Sequence, residues 1–198
     1  MPSALIHVYT GKLFKDDPSV PFYIGTLAPD CIKEREQKDL LHLRLSDDRE
    51  RDLAELARRW DLSDQFQLGA LLHLYTDWLW DEGPQTDHKN SYTGETWFPD
   101  YRQEINLASC YMFHHFDWAP DLWDAMDACP DALISSLDDY PVEKIRAYLA
   151  HNHGWLVEHD VGPSPAFPPD AVERFCIDAA ESFGAFISKN QIKTDEAK

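Results

Sequence analysis

At 198 residues the chain is long enough for one domain with a full core, and 43% apolar residues exclude a disordered chain. Seven Trp, eight Tyr and ten Phe suit a large core or an aromatic-lined pocket. A formal net charge of −18, from 36 Asp and Glu against 18 Lys and Arg, argues against nucleic acid or an anionic membrane as partner, although bound divalent ions would still admit a phosphate substrate.

The first predicted helix runs from about Ser3 to Lys15, with Ser3 as N-cap after Pro2, and Asp16-Asp17-Pro18 ends it. Phe22 to Leu27 is a short apolar run before the turn formers Ala28-Pro29-Asp30. Lys33 to Leu45 is charged and reads mostly as loop. Ser46 reads as the N-cap of an amphipathic helix to about Trp60, with Leu53, Leu56, Ala57 and Trp60 on its apolar face. After a break at Asp61-Leu62-Ser63, Ser63 is expected to cap a central helix from about Asp64 to Trp80. Glu82 to Pro99 is polar, rich in turn formers, and reads as a long loop.

Helical spacing resumes from Asp100 to Phe116, through Tyr101, Ile105, Ala108 and Met112, and Pro120 and Pro130 punctuate two short pieces. Val142 to Val157 is a further helix, followed by the proline-rich turn Gly162–Pro169. The last helix runs from Pro169 to about Ser188, with Val172, Phe175, Cys176, Ala179, Phe183 and Phe186 inward. There is almost no period-2 alternation and no internal repeat. The expected fold is all-α: a single-domain multi-helix bundle over residues 1–188, with a polar tail at 189–198.

No stretch of about 18 uncharged apolar residues is present, and the start of the chain carries no basic region with a long apolar run, so the expected location is cytoplasmic, without a membrane partner. Cys31, Cys110, Cys129 and Cys176 are widely spaced, with no Cys-x-x-Cys, and are expected as reduced thiols.

The chemistry concentrates in Gly69-Ala-Leu-Leu-His73-Leu-Tyr-Thr-Asp77, where a His and an Asp stand one helical turn apart in an otherwise apolar segment. Buried imidazole and carboxylate cost free energy unless paired, and a divalent cation is one efficient partner. A metal-free His–Asp hydrogen bond is the other reading of this pair. His7 among Leu5, Ile6 and Val8, Asp30 after Pro29, and His42 in Leu-Leu-His-Leu add candidate ligands, though each taken singly is more often structural.

Taken in order, His7, then Gly25-Thr-Leu-Ala-Pro29-Asp30, then His42, then Gly69-x-x-x-His73-x-x-x-Asp77 resembles the zinc-dependent phospholipase C family and the related P1-type nucleases. The resemblance covers roughly residues 1–82. It implies an all-helical fold around zinc and hydrolysis of phosphate esters. On it, Asp77 would bridge two ions, Asp30, His42 and His73 would complete the shell of one, and His7 would hold the second. That family also uses its N-terminal amine and carbonyl as ligands, for which Met1 stands too close to His7. It further uses a His-x-x-x-Glu pair that is absent here; Gly154-Trp155-Leu156-Val157-Glu158 has the spacing without the His. His88, His114, His115, His151 and His153 are open substitutes, with surface exposure the commoner explanation.

Nucleophile-elbow and phosphate-loop motifs are missing, and His159-Asp160 beside the proline-rich turn looks fortuitous. Trp78, Trp80, Trp97, Trp118 and Trp123 read as core, with Trp80 placed to wall a pocket. The expected function is therefore a metal-dependent hydrolase of small phosphate esters. One or two zinc ions would be held by His7, Asp30, His42, His73 and Asp77, and a metal-bound hydroxide would attack phosphorus. The general acid or base is not identified. The alternative is a non-catalytic helical module whose metal site or His–Asp network is structural or serves a partner interface.

Overall fold

The structure, a computed structural model, describes residues 1–190; these form ten α-helices and two short 3₁₀ turns, with no strand among the described residues. The all-α expectation holds. The central helix, α5 (Gln65–Glu82), is buried at every position from Leu68 to Asp77. Its apolar residues run all the way round, which is the pattern of a helix enclosed by others. Around it lie α1 (Ala4–Phe14), α2 (Val20–Gly25), α4 (Arg49–Arg59), α6 (Pro84–Ser91) and α10 (Pro169–Lys189). A 3₁₀ turn at Ala28–Cys31 joins α2 to α3 (Arg35–Leu41), and α7 (Trp97–His115), α8 (Ala119–Asp127) and α9 (Val142–Glu158) close the other side. Leu5, Phe22, Leu71, Ile105, Trp123 and Phe183, from six of these helices, belong to one contiguous apolar core.

The two glycines of the central motif are explained by one helix crossing. A Cβ on Gly25 would collide with the Phe66 carbonyl oxygen, and a Cβ on Gly69 would collide with that of Phe22. Helices α2 and α5 thus touch backbone to backbone, an approach that only glycine allows on both sides. The crossing delivers the Thr26 carbonyl to His73, whose Nδ1 lies 2.8 Å from it.

Several expectations are corrected. Lys33 to Leu45 is not mostly loop: α3 occupies Arg35–Leu41, a run of good helix formers. None of its residues is buried, so it shows no hydrophobic period to read. The stretch from Glu82 to Pro99 holds α6, with Pro84 at its first turn, and the start of α7. Two caps shift by one or two residues. Asp64, not Ser63, accepts from the amides of Phe66 and Gln67 at the head of α5, and Asp48, not Ser46, accepts from Arg51 at the head of α4. Ser63 donates to the Asp61 carboxylate instead. Trp80 does not wall a pocket; it is fully buried, and its indole N–H donates to the Tyr101 hydroxyl at 2.8 Å. Lys189 closes α10, and the rest of the expected tail, residues 191–198, lies outside the described residues. All four cysteines are free and buried. No described helix is long and apolar enough to cross a membrane.

Candidate metal centre

Five side chains from four elements meet beside α5. His7 comes from α1, Asp30 from the 3₁₀ turn, His42 from the residue that ends α3, and His73 and Asp77 from α5. Asp30 is 8% exposed and the other four 1% or less. Leu43, next to His42, adopts the left-handed region with φ of 55°, a conformation rare for a bulky residue and one that concentrates at functional sites. It turns the chain between His42 and Arg44, both of which reach the same cluster.

The imidazole tautomers follow from their partners. His73 Nδ1 lies 2.8 Å from the Thr26 carbonyl and His42 Nδ1 lies 2.8 Å from the Lys38 carbonyl. A carbonyl only accepts, so both rings donate from Nδ1 and, when neutral, present a lone pair at Nε2. Those two Nε2 atoms face each other at 3.3 Å. His42 Nε2 is also 3.4 Å from Asp30 Oδ1 and 3.7 Å from Asp77 Oδ2, and His73 Nε2 is 4.0 Å from Asp30 Oδ1. Three acceptor atoms therefore converge, the two Nε2 atoms and Asp30 Oδ1, with Asp77 Oδ2 beside His42. Ligands about 2.0–2.1 Å from a tetrahedral zinc stand about 3.3 Å apart, so this spacing fits one such ion with slight contraction. The outward N–H bonds to backbone carbonyls are the second contacts that orient metal-ligating imidazoles.

His7 lies on the other side of Asp77. Its Nε2 is 3.4 Å from Asp77 Oδ1, and its ring stacks on that of His73 with centroids 3.9 Å apart. Neither His7 nitrogen has a hydrogen-bond partner, and Asp77 Oδ1 is likewise without one. Two triads bring ligand atoms within 4.8 Å of one another: His7, Asp30 and His73, and His42, His73 and Asp77. Asp77 presents Oδ1 to His7 and Oδ2 to His42.

Burial and the nearby His7 push His73 down to about 3, so it is neutral at pH 7. For Asp30, burial opposes ionisation, but contact with His42 and the Lys38 ammonium outweighs it and holds the carboxyl well below its usual range. Asp77 is held low in the same way, burial being outweighed by contact with His7, by the neighbouring His73 and His42 rings and by the N-terminal ammonium. Asp30 thus lies 4.0 Å from the neutral His73 ring.

Sequence reasoning missed the cations that complete this arrangement. Lys38 Nζ is 2.8 Å from Asp30 Oδ1, and Arg44 donates to Asp77 Oδ2 at 2.9 Å and to Asp39 Oδ1 at 3.2 Å. Arg49 donates to Asp81 and to the His42 carbonyl. Tyr148 of α9 contributes a hydroxyl 3.4 Å from Asp30 Oδ2; burial and the Asp30 charge raise its pKa well above the usual phenol value. The only sequence signal for Lys38 and Arg44 was their flanking of His42.

The remaining histidines stay outside the cluster. His88 accepts from the Trp97 indole, His114 bonds carbonyls of α9 and its exit, His115 stacks on Tyr111, and His153 pairs with Asp127. His151 alone lines the cavity of about 250 Å³ through which the Asp30 edge opens. A larger cavity of about 600 Å³ lies alongside, walled by Lys38, Arg44, Asp81 and the ring of Trp97.

Comparison of the chain with protein-family models, with curated proteins and with solved structures returned no match.

Proposed function

We propose that the five-residue cluster binds a divalent metal, with zinc the ion best suited to its donors, and that the chain hydrolyses phosphate esters there. The observation that carries this reading is the pair of Nε2 lone pairs facing each other at 3.3 Å, with both His7 nitrogens and Asp77 Oδ1 buried in the same cluster without a hydrogen-bond partner. Unpaired buried acceptors each cost about 1–3 kcal/mol, and a cation among them removes that cost. His42, His73, Asp30 and Asp77 would hold the first ion, and His7 with the other Asp77 oxygen would contribute to a second. A bound divalent ion would lower the pKa of water and neutralise phosphoryl charge.

The chain's own groups set the rest of the chemistry. Burial of four ligands confines access to the Asp30 edge, so an ester enters from the cavity that Tyr148 and His151 line. Lys38 stands at that edge, bonded to Asp30, where it attracts an anionic ester. Hydrolysis forms a bond from a water oxygen to phosphorus and breaks the bond to the alcohol, which takes up a proton. His151 and Tyr148 are the titratable groups nearest that opening that are not ligands in this scheme.

A second reading has its own observation. Lys38 and Arg44 already place two positive charges on the two buried carboxylates, so a metal-free ionic network with a structural role also balances charge. Elemental analysis of protein purified without added metal, with hydrolysis of p-nitrophenyl phosphate and of a generic phosphodiester, separates them. Tightly held metal, lost together with hydrolysis in His73→Ala, supports the hydrolase. Absence of metal, with His73→Ala changing stability alone, overturns it in favour of the structural network.

A further inference from the structure

The cavity of about 600 Å³ beside the cluster is basic in an acidic protein. Lys33, Arg35, Lys38, Arg44 and Arg102 line it, against the carboxylates of Asp39 and Asp81. These are five of the chain's 18 Lys and Arg, gathered on one cavity of a molecule whose formal charge is −18. Their roles divide. Lys38 and Arg44 are committed to Asp30 and Asp77, and Arg35 stands 3.7 Å from Asp39. Lys33 and Arg102 have no carboxylate within ion-pair distance among the described residues. Both also line the smaller cavity that exposes Asp30, so they stand where the two cavities meet. Trp97, Phe98 and Tyr101 form the apolar wall of the larger one, with Phe98 57% exposed.

We infer that this junction is a second anion subsite, and that the substrate is a small phosphoester whose apolar or aromatic body carries another anionic group, a phosphate or a carboxylate. The inference rests on the hydrolase reading for where the reacting phosphoryl group sits. With that group at the Asp30 edge, the body extends along the Trp97 and Tyr101 wall and passes between Lys33 and Arg102. A quaternary ammonium headgroup would meet the unpaired Lys33 and Arg102 there and is disfavoured; a neutral body would leave both without a partner. Unpaired cations in a concave, partly apolar site attract and orient an anion more strongly than the same side chains on an open surface.

The test compares two probes that differ in one charge, phenylphosphonate and 4-carboxyphenylphosphonate, titrated calorimetrically into the zinc-supplemented full chain. The carboxylated probe is expected to bind about tenfold more tightly, the factor that two partly exposed ion pairs supply together. The advantage should shrink as salt is raised. Lys33→Ala combined with Arg102→Ala should bring the ratio close to one, and thermal unfolding of this double variant verifies that the fold survives loss of two exposed side chains. Equal affinities, no binding of either probe, or a ratio untouched by the double variant overturns the inference. Metal content and p-nitrophenyl phosphate hydrolysis on the same preparation separate the two readings. Hydrolysis without the preference sinks the subsite alone; the preference without bound metal or hydrolysis supports the subsite and sinks the hydrolase.

Discussion

Replacing Gly69 by Ala adds one methyl group at the point where α2 and α5 touch. In an exposed helix this change stabilises by about 1 kcal/mol, because Ala loses less backbone entropy. At Gly69 the new methyl would overlap the Phe22 carbonyl oxygen and stand 3.0 Å from the Thr26 amide nitrogen. Both are backbone atoms, so no side chain can swing away and α2 has to retreat as a unit. Overpacking of this kind costs about 1–3 kcal/mol. Retreat also draws the Thr26 carbonyl off His73, and a buried N–H left unpaired costs about another 1–3 kcal/mol. Against the gain of about 1, the expected net loss is about 1–5 kcal/mol. For a chain of this size each kcal/mol moves the melting temperature by about 2–4 °C. Gly154→Ala supplies the control: in α9 its Cβ would meet nothing within 4 Å, so it should stabilise by up to about 1 kcal/mol. Urea titrations of both variants in EDTA give the comparison. If Gly69→Ala matches or exceeds the wild type, or if the two glycines respond alike, the crossing does not place Thr26 as described.

Asp77→Asn removes the charge shared between His7, His42 and Arg44, and elemental analysis should show metal content reduced at least tenfold, with a retained wild-type content counting against Asp77 as a ligand. In metal-free protein, stability should fall with acidification. The folded-state pKa of His73, about 3, lies below its unfolded value near 6.5, so the unfolded chain binds the extra proton between them. Its contribution is complete above about pH 6.5 and declines by about 1 kcal/mol per unit below it, joined under about pH 4 by Asp30 and Asp77, whose depressed values act in the same direction. A flat stability profile from pH 7 to 5 would contradict a neutral buried His73. At the head of α5, Asp64→Ala should cost about 1 kcal/mol in chemical denaturation, and Ser63→Ala within about 0.5, since only Asp64 caps the helix amides. The reverse order would restore Ser63 as the cap.

Much of the helical framework was legible because it obeys a period. The inward faces of α7 and α10 carry the residues that the 3.6-residue spacing selected, among them Tyr101, Ile105, Val172, Cys176 and Phe183. Helices without a buried face were invisible by that measure, which is why α3 and α6 read as loop. The caps at Asp48 and Asp64 were misplaced because neighbouring Ser and Asp are chemically equivalent candidates until backbone geometry picks one.

The candidate site divides along the same line. Local sequence by itself determined that α5 is apolar all round and carries His73 and Asp77 one turn apart, since helix geometry alone fixes that pairing. It also supplied His7, Asp30 and His42 as candidates, and Gly25 and Gly69 as part of the motif. That these five polar groups meet, that both Nε2 atoms point inward, and that Lys38, Arg44 and Tyr148 stand around them was decided by the tertiary structure. The glycine crossing holds α2 against α5, and the chain beyond α2 then carries Asp30, Lys38 and His42 back to the same helix. Distances between residues tens of positions apart depend on how helices pack, and only packing brought these charges within reach of one another.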